Sequence, residues 1–152
     1  MNSPLQKPRT IEKPWGNELW IADGVRTPYA LKRILFKAGK RSSLQVHKFK
    51  FETNYVLEGT GVFQIWLEPF DCDSFTANNI PQDELDKILS RVTEVELKPG
   101  DVIDVKPGQI HRITAVTDLT FIEASTVELD DVIRLADDAN RGNGKIETEH
   151  GH

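Results

Sequence analysis

Gln45, His47 and Glu52 lie within eight positions of one another in SLQVHKFKFE, and His111 follows a Pro-Gly turn in GDVIDVKPGQIHRI. In an extended strand, side chains two residues apart share a face, so Gln45 and His47 point the same way. Four residues separate His47 from Glu52. That is enough for the chain to turn and present the carboxylate from an adjacent strand, and Gly59 and Gly61 permit the next tight turn. His111 opens a strand after Pro107 and Gly108, where a folded-back sheet would bring it opposite His47. Two imidazoles, a carboxylate and an amide oxygen form a mixed nitrogen and oxygen set. Such a set suits a divalent ion, with zinc the first expectation and manganese, iron or nickel also compatible, better than an ion that prefers thiolates. Taken singly, each residue also fits the wet face of an antiparallel hairpin.

The elements that must position these residues are short. Between polar termini, β-prone stretches such as YALKRILFK, GVFQIWLE, DVIDVKPG and LTFIEAST are separated by Gly, Pro and Asn, the pattern of a β-sandwich or barrel. One segment breaks it. In PQDELDKILSRV, Leu85, Ile88, Leu89 and Val92 recur at helical spacing after Pro81, which predicts a single inserted helix. The segment ELDDVIRLADD reads as a second short helical or turn element, with Val132, Ile133 and Leu135 as its apolar contacts. Residues 1–10 and 138–152 read as flexible tails around one domain at 11–137, and the tail residues His150 and His152 as poor ligand candidates. Glu123 sits in a strand that is otherwise apolar on both sides. Its carboxylate therefore lies inside the barrel or at an edge, and near a metal it would be a candidate base. Trp15, Trp20 and Trp66 fit core or dimer contacts better than sugar stacking.

The 152 residues fit one domain, with 38% hydrophobic and 28% charged residues as in an ordinary soluble protein. A net charge of −5 argues against a nucleic-acid partner, which would select a basic face. The lone Cys72 has no intramolecular disulfide partner, and the N-terminus lacks the apolar stretch of a secretory signal, so a cytoplasmic location with no membrane partner is expected.

The two spacings, Gly39 through Gln45, His47 and Glu52 to Gly59, and Gly100 through Lys106 and Gly108 to His111, resemble the paired motifs of the cupin superfamily. The resemblance implies an all-β jelly-roll barrel, a double-stranded β-helix, holding one metal through Gln45, His47, Glu52 and His111. Gln45 stands where the usual motif has its first His, a replacement familiar in phosphomannose isomerases. EKPWGNELWI, LKRILFKAGKRSSLQVHKFKFE, IEAST and DDVIRLADDANR are similar to the cupin domain of type II mannose-6-phosphate isomerases. That likeness implies a metal-dependent aldose-ketose isomerase acting on mannose 6-phosphate or a related sugar of nucleotide-sugar or polysaccharide synthesis. Glu123 and Lys32 are then expected at the chemistry, with Lys50 and Arg134 at the substrate. The family's segment before the Glu is His-rich and ends in Arg, whereas Lys48, Phe49 and Lys50 stand here, which opens the substrate to other sugar phosphates. A non-catalytic carbohydrate-binding cupin is the alternative from a different class. A homodimer is expected, through an exposed strand around Leu19 to Ile21.

Overall fold

Alternation between buried and more exposed side chains organises the computed structural model, which describes residues 3–128 and 130–136 and the backbone of 144 and 145. Strands are numbered in chain order. One antiparallel sheet runs β1 (Arg9–Lys13), β2 (Gly16–Asp23), β3 (Ala30–Phe36), β10 (Leu119–Ser125), β5 (Glu52–Glu58), β8 (Val102–Val105). The other runs β12 (Gly144–Lys145), β11 (Ile133–Ala136), β4 (Leu44–Val46), β9 (His111–Ala115), β6 (Gly61–Ile65), β7 (Thr93–Leu97). The expected jelly-roll is thus built of two six-stranded sheets packed face to face.

On β3 the buried set is Ala30, Lys32, Ile34 and Phe36, and on β10 it is Leu119, Phe121, Glu123 and Ser125. Ile34, Phe36, Val56 and Phe121 of the first sheet meet Phe63, Ile65 and Ile113 of the second in one apolar cluster, with Trp15 stacked on Phe36 at 3.9 Å between ring centroids. Each such side chain contributes about 1.5–3 kcal/mol on burial. The turn from β5 to β6 needs glycine at 59. Its φ is +85°, and a Cβ there would stand 1.9 Å from the Asp118 carbonyl oxygen.

The inserted segment forms two helices, α1 (Cys72–Thr76) and α2 (Gln82–Leu89), one more than expected. Asp71 caps α1, accepting from the Ser74 N–H at 3.0 Å. In α2, Asp83 and Glu84 occupy the first turn and Lys87 the last, a charge order that suits the helix dipole. Leu85, Ile88 and Leu89 pack with Phe75 and Ile80 against a second cluster that includes Leu44, Val46, Ile110, Ile133 and Leu135. Those strand residues alternate with Gln45 and Arg134, so the helices cover the outer face of the second sheet as a third layer.

Two further expectations are corrected. ELDDVIRLADD begins with a turn at Asp130, as expected in part, but Ile133–Ala136 form strand β11 and no described residue of it is helical: Ile133 and Arg134 pair with Val46 and Gln45 of β4. Tertiary pairing overrode a pattern too short to show its own period. Leu19–Ile21 lies inside β2, between β1 and β3, and is not an edge; β1 is the outer strand there and begins at Arg9. Of the stretch 138–152, only the backbone of 144 and 145 falls within the described residues. No helix of the described residues is long and apolar enough to cross a membrane.

Candidate metal centre and active site

Strand ends bring the donors together. Gln45 on β4 is directly opposite His111 at the start of β9, His47 follows β4, and Glu52 opens β5. His47 Nε2 lies 3.0 Å and His111 Nε2 3.5 Å from the same Glu52 oxygen, Oε1, and the two imidazole centroids are 4.9 Å apart. The ligand atoms of His47, Glu52 and His111 all fall within 4.8 Å of one another. Gln45 lines the same cavity, its Oε1 accepting from the Ser43 hydroxyl at 2.9 Å.

Both imidazoles are oriented by carbonyls behind them. His47 Nδ1 meets the Asp131 carbonyl oxygen at 2.6 Å and His111 Nδ1 the Gln109 carbonyl at 3.0 Å. A carbonyl only accepts, so each Nδ1 carries a proton, and Nε2 is the ring nitrogen that each imidazole turns toward Glu52. This is the arrangement by which metal-binding histidines are held in the ligating tautomer. The loops supplying these carbonyls interlock, because the Gly108 N–H donates to the His47 carbonyl at 2.7 Å.

The electrostatics agree with a cation site. Burial pushes His111 down to about 4, which keeps it neutral. Burial alone would raise Glu52, but Lys50, a hydrogen bond from Glu123 and the neighbouring His47 outweigh it and hold that carboxyl well below its ordinary value. Glu123 behaves oppositely. Burial first, and then the charge of Glu52, push it up to about 8. With the Glu123 proton in place, ionised Glu18 and Glu52 balance Lys32 and Lys50 along the cavity wall. Two imidazoles and an ionised carboxylate that converge on one point are a donor set that fits a divalent ion.

The structure places Glu123, Lys32 and Lys50 on this same cavity, whose free volume is about 70 Å³. Lys50 Nζ lies 3.6 Å from Glu123 Oε2, and Lys32 Nζ lies 3.6 Å from Glu18 Oε1 and 4.5 Å from the centre of the Trp20 ring. Arg134 is buried and pairs in register with Gln45, so it shares the inner face of the sheet, but it does not line the cavity. Of the tryptophans, Trp15 is in the core and also reaches the cavity wall, Trp20 donates to Glu18 at 2.9 Å, and Trp66 lies under the helix layer, donating to the Leu89 carbonyl at 3.1 Å. His150 and His152 lie outside the described residues. Sequence reasoning missed Glu18, Asn54 and Asp131. Strand alternation was a signal for the first two, Glu18 with Trp20 on β2 and Asn54 with Glu52 on β5, whereas Asp131 reaches His47 across 84 residues and had none.

The fold and this cluster define a cupin barrel with a His-Glu-His group able to hold a metal ion. The family model for D-lyxose isomerase matches residues 17–147, and the chain belongs to that family. No curated protein matches the chain. Among solved structures it is similar to the capsular polysaccharide assembling protein CapF from Staphylococcus aureus, at 17% identity and a TM-score of 0.63 over 88% of this chain and 33% of that one. It is likewise similar to the oxalate decarboxylase of Lactobacillus farciminis, at 16% identity and a TM-score of 0.61 over 84% of this chain and 33% of that one. The chain thus spans about a third of the length of these two. A cupin-like protein from Thermotoga maritima is matched over most of its length, with 90% of each chain aligned at 17% identity and a TM-score of 0.57. At these identities the structural likeness speaks to the fold alone.

Proposed function

We propose that the protein is a metal-dependent aldose-ketose isomerase acting on an unphosphorylated aldose with the configuration of lyxose or mannose. The observation that carries this reading is one cavity that joins the His47, Glu52 and His111 cluster to a buried carboxyl, Glu123, with an ammonium 3.6 Å away. Aldose-ketose isomerisation moves a proton from C2 to C1 and needs a base beside an electrophile in a pocket that excludes water. Gln45, His47, Glu52 and His111 would hold the metal. A divalent ion held there would polarise the sugar's carbonyl and neighbouring hydroxyl oxygens and, as a nearby positive charge, draw Glu123 toward its ionised form.

In this reading the Glu123 carboxylate, stabilised by the Lys50 ammonium, takes the proton from C2, holds it as the neutral acid and returns it to C1, while the O2 hydroxyl proton passes to O1. Lys32 contributes its charge from the neighbouring register position, paired with Glu18. Sugar phosphates are the less favoured substrate. Each cavity-lining ammonium already faces a carboxyl group at 3.6 Å, Lys32 the ionised Glu18 and Lys50 the Glu123 carboxyl that a bound ion would draw toward ionisation, and a phosphate dianion would have to approach past them. The motif likeness to mannose-6-phosphate isomerases supports the same reaction on a sugar of the same stereochemistry, because lyxose and mannose agree at C2, C3 and C4.

The test is proton exchange at C2 in deuterated water, followed by NMR for lyxose, mannose, xylose, glucose and mannose 6-phosphate with the metal-loaded protein. Exchange on lyxose or mannose that disappears in Glu123→Gln is the expected result. Preference for the phosphate ester would restore the sugar-phosphate reading, and binding without exchange on every sugar would leave a carbohydrate-binding cupin.

A further inference from the structure

The loop between His47 and β5 carries Lys50 to the cavity, and residues 47–51 belong to no strand. Its amide donors converge on one side chain. The N–H groups of Lys48, Phe49 and Lys50 donate to the Asp131 carboxylate at 3.1, 2.6 and 3.0 Å. The carbonyl of the same residue accepts the His47 Nδ1 proton at 2.6 Å. One residue therefore holds the loop with its side chain and the imidazole with its main chain. A carboxylate suits three converging donors because it offers acceptors only; an amide of the same shape would turn its own NH₂ toward at least one of them. The loop has two further anchors. Lys48 Nζ contacts Asp73 of α1 at 2.6 Å, and Phe51 and Thr126 exchange hydrogen bonds at 3.0 and 3.1 Å.

We propose that Asp131 is a positioning residue whose carboxylate shapes the 48–50 loop so that the Lys50 ammonium is held against Glu123, while its carbonyl separately fixes His47 in the ligating tautomer. The two tasks are separable because they use different atoms. Replacing the carboxylate leaves the main-chain carbonyl in place, and the remaining anchors keep the loop attached at both ends. The activity arm of the test rests on the isomerase reading; the other arms do not.

Asp131→Asn is compared with the unaltered protein in three measurements. In the metal-free protein, hydrogen exchange of the Lys48, Phe49 and Lys50 amides is expected to accelerate by about tenfold or more, with β3 and β10 unchanged. Cobalt(II) titrated as the probe metal is expected to bind with unchanged stoichiometry and visible spectrum. The kcat on the active aldose is expected to fall by about 10–100-fold with KM little changed, and this loss to vanish in a Lys50→Met background, where the loop has no ammonium to deliver. Unchanged exchange at 48–50 would overturn the proposal, as would loss of cobalt binding or an equal fall in kcat in both backgrounds. Should the unaltered protein isomerise no aldose, the functional reading fails by itself, and Asp131 is decided by amide protection and cobalt binding: protection lost with cobalt retained supports it, and protection retained overturns it.

Discussion

The two ends of the barrel interior are made by the same strands and differ only in what those strands point inward. At one end Leu119 faces Phe36, and Phe121 faces Ile34 and Val56; one pleat further along, Glu123 faces Lys32 and Asn54, and Ser125 faces Glu52. Depth does not separate them, since Lys32 and Phe36 are each 2% exposed and Glu52 and Ile34 each 4%. Pairing does. Every apolar contact at the first end is favourable by itself, whereas the second end is tolerable only because each ammonium faces a carboxyl group and each imidazole has a carbonyl behind it. Buried ion pairs of this kind add little to stability compared with apolar residues of the same volume. The apolar end therefore holds the fold and frees the other end to carry chemistry.

The sharpest way to break this division is at the donors. His47→Ala or His111→Ala should abolish metal binding and lower isomerase activity by about 10³-fold or more, equivalent to about 4 kcal/mol of lost transition-state stabilisation, while the urea midpoint of the metal-free protein moves little. Metal analysis on protein lacking 138–152, with C2 exchange in parallel, checks this, and a comparable loss of fold stability would erase the distinction. Phe121→Ala tests the converse. Emptying the apolar end should cost about 3–5 kcal/mol in urea unfolding, with metal stoichiometry per folded molecule unchanged.

A third prediction concerns pH in the metal-free protein. Burial holds His111 at about 4 against 6.5 when unfolded, so that group makes stability rise with pH between those values. Burial and Glu52 hold the Glu123 proton to about 8 against 4.5 unfolded, so that group makes stability fall as pH rises over its own window. The two effects oppose each other up to pH 6.5, and above it only the Glu123 loss remains. Urea unfolding should show about 2 kcal/mol less stability at pH 8 than at pH 6.5, and Glu123→Gln should remove that decline. A flat profile in the unaltered protein would mean that Glu123 is already ionised. The smallest effect is expected outside the barrel, where Ile88→Ala should cost about 1–2 kcal/mol and leave C2 exchange unaffected, as fits helices that cover a sheet face rather than the cavity.

The donor set and the strand alternation were legible along the chain. Gln45 and His47 share a face because a strand repeats every two residues, and Leu85, Ile88 and Leu89 declared a helix by their spacing; both are local rules that no distant contact had to complete. Lys32 and Glu123 were recognisable as charged residues in apolar strands, but not that they stand opposite one another. The strand in ELDDVIRLADD was missed because only four of its residues, Ile133–Ala136, form it, too few for a period of two to stand out from a helical one.

What the sequence determined by itself, then, was the chemical alphabet of the site and the face on which each letter stands. The tertiary structure decided the partners. It set Lys50 against Glu123, Lys32 against Glu18, and the Asp131 carbonyl against His47, contacts joining residues up to 84 positions apart. Such contacts depend on the register between strands that are remote in the chain, a quantity fixed only when the two sheets close on their common core. The protonation states follow from that closure as well, because the shifts of His111 and Glu123 arise first from burial, and burial exists only in the assembled barrel.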